Sequence, residues 1–259
     1  MDIAAALERF EDYVGRFEQA EPAAQENIEL KRAHSLRVLE EARGIIASLD
    51  LDSRPVDLVK LAALFHDIGR FPQFDRFGTF QDRQSLNHGL LGYQELRTNQ
   101  LLPEMPWREK KGILLTVLMH NRARVVPHLP PDLDRMLRIV RDADKLDVIT
   151  VLIDHFDPGR PDKAVVTLEL PHDPARYSPA ALQQVRSRQM VCYEQMHRLN
   201  DFKLLLLSWT YDLNFRHTQL EFLNREYVRR IVETLPGTRA IKALEQQVVE
   251  DLTKGGGAV

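Results

Sequence analysis

Thiols are nearly absent from this chain of 259 residues, in which Cys192 is the one cysteine. That excludes an internal disulfide framework and any thiolate-rich zinc or iron-sulfur site, fits a reducing compartment, and leaves Cys192 to act as a small hydrophobe. A basic excess is missing too. The formal net charge of -3 and pI near 6.3 argue against a surface for duplex nucleic acid, although cationic clusters around an anionic pocket stay open. No apolar run reaches the length of a membrane span, Leu204 to Leu207 being the densest. The N-terminus, Met-Asp-Ile-Ala-Ala-Ala-Leu-Glu-Arg-Phe-Glu-Asp, is acidic and amphipathic where a signal peptide would be basic and then continuously apolar. A soluble cytoplasmic chain with no membrane partner is the expectation. Repeats and low-complexity segments are also lacking. What the chain does have is 44% hydrophobic residues, enough for a real core in one large domain or a domain with an appended subdomain.

Through most of the chain, apolar residues recur at the three- and four-residue spacing of amphipathic helices. Leu7, Phe10, Val14 and Phe17 predict a helix over 3–17. Leu30, His34, Val38, Ala42 and Ile45 align on a second over 24–49, so His34 lies in or beside a buried stripe. After a turn at 51–55, where Ser53 or Pro55 can start a helix, the stretch 56–68 puts Leu58, Ala62 and His66 on one line with Asp67 one step round. Gly69-Arg70-Phe71-Pro72 reads as its stop. The segment 73–85, with Phe74, Phe77 and Phe80 among polar residues, reads as an aromatic-anchored loop suited to a lid. Ser85 is the expected N-cap of a short helix bearing His88, Leu91 and Leu96. Trp107 to Asn121 forms a helix with Ile113, Val117 and His120 on one face, and Asp132 to Ile153 forms another. In the latter, Asp144 shares the line of Val140, Val148 and Val151 and so points inward.

Periodicity fails between 157 and 179, where Ala164 to Leu170 alternates loosely, as a short hairpin or extended excursion would. Helices resume over 180–199, 202–215, 219–235 and 239–252. The organisation expected is all-α: a helical core over 1–157, an irregular connection over 158–179 with the excursion near 160–178, a C-terminal helical extension over 180–254 packed on the core, and a disordered tail over 255–259.

The inward-facing, metal-capable residues of the N-terminal part are His34, His66 with Asp67, His88, His120 and Asp144. They lie on successive predicted helices, and a bundle can bring such residues to one point, as in dimetal carboxylate sites. A buried His-Asp pair costs free energy unless something compensates it, and a metal ion would. Imidazole and carboxylate donors suit iron, manganese, zinc, cobalt or nickel, and an oxygen-rich position suits magnesium.

The order His34, then Leu-Phe-His66-Asp67-Ile-Gly-Arg70, then Ala-Asp144-Lys-Leu resembles the HD-domain superfamily of metal-dependent phosphohydrolases, over roughly Glu26 to Ile153. The resemblance implies an all-helical bundle and divalent metal ions, one or two per chain. It implies His34, His66, Asp67 and Asp144 as ligands, with Asp144 rather than Asp142 or Asp147 at the family's Ala-Asp-x-Leu position. His88 and His120 match the extra histidines of its binuclear branches, where Asp67 would bridge the ions. The histidine layout is similar to that of the cyclic-di-GMP phosphodiesterase branch. Asn121, however, follows His120 where that branch has a second histidine, and the Gly-Tyr-Pro signature is absent, so that substrate is not assigned.

The function so implied is hydrolysis of a small phosphorylated, nucleotide-like substrate by metal-activated water. Asp67 and Arg70 would be catalytic. Arg70, Arg122, Arg124 and Lys145 are candidate substrate contacts, each also readable as an ordinary helix-end or solvated cation. A dimetal iron oxygenase shares the ligand order, and a non-catalytic nucleotide-sensing module is a third reading. Outside the motif, His128, His155, His172, His197 and His217 are expected not to be ligands, and Lys203, Trp209, Asp212 and Asn214 are expected to pack the C-terminal helices.

Overall fold

The computed structural model describes residues 3–156 and 170–255, and among them the chain is all-α, with no strand. It divides into two compact units, Met1–Asp144 and Lys145–Val259. The division falls inside one long helix, so a boundary drawn where contacts thin out and one drawn where helical periodicity fails, after 157, fall in different places.

The first unit contains α1 (Ile3–Val14), α2 (Pro22–Ala47), α3 (Ser53–Phe65), α4 (Arg70–Phe77), α5 (His88–Thr98), α6 (Trp107–Met119) and the first part of α7 (Pro131–His155). Its centre is α3, in which every residue from Leu61 to Phe65 is buried. A helix that is apolar all round must be enclosed by others, and α1, α2 and α6 pack against it. Phe10 of α1 meets Phe65 and Phe71 edge-on, at 6.1 and 6.0 Å between ring centroids, the geometry aromatic quadrupoles favour.

The expected stop is there, α3 ending at Phe65 and a turn over 66–69 following it, but a new helix, α4, starts at Arg70 rather than a loop. Arg70 N donates to Asp67 O at 2.8 Å in the turn and Gln73 N to Gly69 O at 3.1 Å as α4 begins. Pro72 is tolerated because it stands in the first turn of α4, where its missing N–H has no intrahelical acceptor to lose. The loop expected over 73–85 therefore shrinks to 78–87, starting where Gly78 caps α4 at φ 64°. Phe74 is buried on α4 and Phe80 stacks on it at 4.9 Å. Ser85 does not cap α5. Asn87 does, its side chain accepting from Leu90 N at 3.0 Å, while Ser85 Oγ donates to Gln81 O at 2.8 Å.

Glycines bring α5 close to its neighbours. A Cβ on Gly69 would lie 2.2 Å from His88 O and 2.4 Å from Gly92 N, and one on Gly92 would lie 2.9 Å from Val117 Cγ1. Backbone thus meets backbone between the turn and α5, and α5 lies tightly against α6.

The second unit contains the rest of α7, α8 (Pro179–Arg186), α9 (Leu199–Ser208), α10 (Arg216–Asn224), α11 (Tyr227–Glu233) and α12 (Arg239–Lys254). All of α9 is buried. Its polar residues anchor neighbouring chain: Asp201 accepts from Ser178 N at 2.5 Å and His197 N at 2.9 Å, and Lys203 Nζ donates to Thr234 O at 3.0 Å. The long helices expected over 180–199 and 219–235 are broken. Arg188 and Glu226 take left-handed φ values of 57° and 54°, so α8 ends at Arg186 and a short turn separates α10 from α11. Cys192 is exposed rather than a core hydrophobe. Gly255, expected in the tail, caps α12 at φ 73°. Most of the expected hairpin and the remainder of the tail lie outside the described residues. No described helix is long and apolar enough to cross a membrane.

Candidate metal centre

The turn after α3 sets the centre. His66 is the C-cap of α3 and Asp67 follows it, both buried. α2 brings His34, the first residue of α5 is His88, the C-cap of α6 is His120, and α7 brings Asp144. The six predicted ligands therefore come together from distant parts of the chain.

Their atoms form two groups around Asp67. Oδ2 lies 3.4 Å from His34 Nε2 and 4.0 Å from His66 Nε2. Asp144 Oδ1 completes this side, 3.3 Å from His34 Nε2 and 3.7 Å from His66 Nε2. On the other side Asp67 Oδ1 lies 3.4 Å from His88 Nε2 and 3.5 Å from His120 Nε2. His34, His66 and Asp144 could hold an ion, as could His66, Asp67 and His120. Among the described residues, His88 belongs to neither of these two groups, nor do His128, His155, His172, His197 and His217.

The proton positions make the case sharper. His66 Nδ1 faces Ala63 O at 2.8 Å, His120 Nδ1 faces Val117 O at 2.7 Å, and His88 Nδ1 faces Asp82 Oδ1 at 2.8 Å. Each partner only accepts, so each Nδ1 carries a proton, and in the neutral ring Nε2 presents a lone pair. Yet His88 Nε2 and His120 Nε2 are 3.1 Å apart, and His34 Nε2 and His66 Nε2 are 3.2 Å apart. Lone pairs at that distance repel, and a cation between or beside them would relieve the repulsion. The donor set fits a divalent ion of the imidazole and carboxylate class.

Electrostatics reinforce this. Burial would raise the Asp67 carboxyl, but the Lys31 ammonium, then Arg70 and His66, hold it well below the usual carboxylate range. Asp144 is likewise held well below that range by the His34 and His66 rings beside it. His88 is pushed down to about 3, by burial first and then by the Arg70 charge, against the pull of Asp82 and Asp67. A histidine kept neutral is the form that binds a metal.

Several neighbours were not singled out by sequence. Lys31, one turn before His34, places Nζ 2.9 Å from Asp67 Oδ2 and 5.5 Å over the Phe80 ring. Asp82 backs His88, and Gln73, fully buried, donates to Asp82 Oδ1 at 3.0 Å. The spacing of Lys31 from His34 was a usable signal, whereas Asp82 sits in a polar stretch that has none.

The candidate substrate contacts are placed differently from one another. Arg70 lies beside Asp67, its Nε 3.5 Å from Oδ1. Its Nη1 is already engaged by Gln73 Oε1, Phe80 O and Asp82 Oδ1. Arg122 and Arg124 are exposed, and Arg122 borders a cavity of about 290 Å³ with Asn87, Leu90, Leu118 and Asn121. Lys145 is committed elsewhere: its Nζ donates to Asp212 O at 2.8 Å and to Asp212 Oδ2 at 2.6 Å.

Residues 32–149 match the family model of the HD domain. No curated protein and no solved structure matches the chain. With its His-Asp pair in the turn between two helices and histidine and aspartate groups able to hold a metal, the stretch 32–149 carries the features of the HD domain whose model it matches, a domain of metal-dependent phosphohydrolases.

Proposed function

We propose that this centre takes two divalent cations and hydrolyses a small phosphoester, nucleotide-like in character. His34, His66, Asp144 and Asp67 Oδ2 would hold one cation, and His88, His120 and Asp67 Oδ1 the other. One observation carries the reading: the two oxygens of Asp67 face different pairs of imidazole nitrogens. When bound, the cations supply Lewis acidity to a water nucleophile and a phosphoryl oxygen.

The chain's own residues supply the rest. Asp67 fixes the separation of the two ligand groups, and the Nδ1 hydrogen bonds hold three of the rings in their donor orientation. Lys31 and Arg70 place positive charge on opposite oxygens of Asp67, where it can offset charge developing on phosphoryl oxygens. Arg70, tied to Phe80 and Asp82, acts from a fixed position. Arg122 and Arg124 are the contacts proposed for the far end of an anionic substrate. Lys145 leaves that set because Asp212 holds it.

The test is metal analysis of the purified protein followed by a phosphomonoester and phosphodiester panel, with and without oxygen. Turnover that needs no oxygen and disappears together with bound metal in Asp67→Ala is expected. Full metal content and turnover in that variant would sink the site assignment, and turnover that requires iron and dioxygen would transfer the centre to oxygenase chemistry.

A further inference from the structure

His66, His88 and His120 each direct Nδ1 at an acceptor, and the acceptor of His88 differs in kind. His66 and His120 each donate to a carbonyl three residues back, Ala63 O and Val117 O. Such an acceptor comes with the helix that precedes the residue. His88 has no such helix behind it, because it is the first residue of α5. Its Nδ1 is served from the 78–87 loop instead, where both Asp82 oxygens lie within hydrogen-bond distance, at 2.8 and 2.9 Å.

Asp82 is itself held in place. Arg70 Nη1 reaches its Oδ1 at 3.1 Å and Gln73 Nε2 at 3.0 Å, both from α4. Asn121 Nδ2 and Asn87 Nδ2 each reach Oδ2 at 3.3 Å. Asn121 Nδ2 also lies 3.3 Å from His88 Nδ1. The carboxylate is thus fixed from three sides and aims the imidazole so that Nε2 faces Asp67 Oδ1.

We propose that Asp82 is a positioning residue for His88, making the His88 and His120 half of the centre the one that depends on Asp82. A carboxylate behind a ligating imidazole fixes the tautomer and raises its basicity, and losing one typically weakens metal affinity by about 10- to 100-fold. The inference rests on the two-cation reading above.

The experiment is calorimetric titration of metal-free wild type and Asp82→Asn with zinc and with manganese, alongside the melting temperature of each metal-free protein. Two ions in wild type, with one site weakened about 10- to 100-fold in the variant and the other unchanged, is the expected result. Equal weakening of both sites, or of neither, overturns the role given to Asp82. Fewer than two ions in wild type overturns the two-cation reading and this proposal with it. If Asp82→Asn does not fold, nitrogen-15 imidazole NMR of metal-free wild type decides. A protonated, strongly downfield His88 Nδ1–H supports the proposal, and a His88 protonated on Nε2 overturns it.

Discussion

Gly69→Ala is the substitution whose consequence the geometry states most directly. Gly69 has φ -69° and ψ -14°, a conformation alanine adopts freely, so backbone strain plays no part. By conformational entropy alone the change would stabilise by about 0.4–1 kcal/mol. Sterics oppose it, since the new Cβ would lie 2.2 Å from His88 O and 2.4 Å from Gly92 N. Both are backbone atoms, so no rotamer change relieves the clash. Restoring a contact of about 3.2 Å moves the first turn of α5 by roughly 1 Å. Overpacking of this kind costs about 1–3 kcal/mol or more, so net destabilisation is expected. The same shift carries His88, whose Nε2 lies 3.4 Å from Asp67 Oδ1. Ligand distances tolerate only about ±0.2 Å, so the site built on His88 should lose most of its affinity. Urea denaturation and calorimetric metal titration measure the two effects. Gly15→Ala is the control, because nothing lies within 4 Å of its added Cβ. A Gly69→Ala protein with wild-type stability and wild-type affinity at both sites would refute the claim that this contact sets His88.

Chelation should lower the melting temperature, since a cation at 100 times its dissociation constant stabilises by about 2.7 kcal/mol; differential scanning fluorimetry with and without EDTA checks this, and no shift counts against a resident metal. Lys31→Met should tighten divalent-ion binding by about tenfold or more, by removing a like charge from beside the centre, while raising KM for a phosphorylated substrate; weaker ion binding would contradict the placement of Lys31. Burial pushes Lys203 down from 10.5 to about 8, so the unfolded chain holds a proton that the folded chain has released between those pH values, and stability rises with pH across that window. Lys203→Met should remove the rise and stabilise the protein at neutral pH by on the order of 2 kcal/mol after allowance for screening, and pH-dependent urea curves that stay parallel for the two proteins would show that the ammonium is not penalised.

How much of the fold could be read in advance depended on what each break required. Helices with a continuous apolar stripe, such as α2 and α7, were legible because periodicity reports burial directly. The start of α4 was missed because a proline in the first turn of a helix and a proline after a stop look alike in sequence, and the Gln73 N to Gly69 O hydrogen bond distinguishes them. The breaks at Arg188 and Glu226 were hidden for the opposite reason. Left-handed turns are usually marked by glycine or asparagine, and here arginine and glutamate adopt them. Tertiary packing overrides local preference at such points. At Glu226 the turn lets Phe222 and Tyr227, on successive helices, meet edge-on at 5.4 Å.

The centre was legible where it consists of ligands and opaque where it consists of partners. Histidine and aspartate on an apolar face point to a metal when read together with the motif text rather than singly, so His34, His66, Asp67, His88, His120 and Asp144 could be collected as candidate ligands. Lys31, Gln73 and Asp82 are not anomalous locally. A lysine on a long helix, a glutamine near a proline and an aspartate among Gln81, Arg83 and Gln84 are what solvent-facing chain contains. They acquire a role only once the turn over 66–69 brings α4 and the following loop against Asp67 and His88, and α4 is the helix the sequence reading took for loop. The same error that turned α4 into a loop therefore hid the carboxylate behind His88. With α4 in place, the role proposed for Asp82 follows from helix geometry: a histidine at the first position of a helix, such as His88, has no preceding turn to orient it and is oriented here by Asp82.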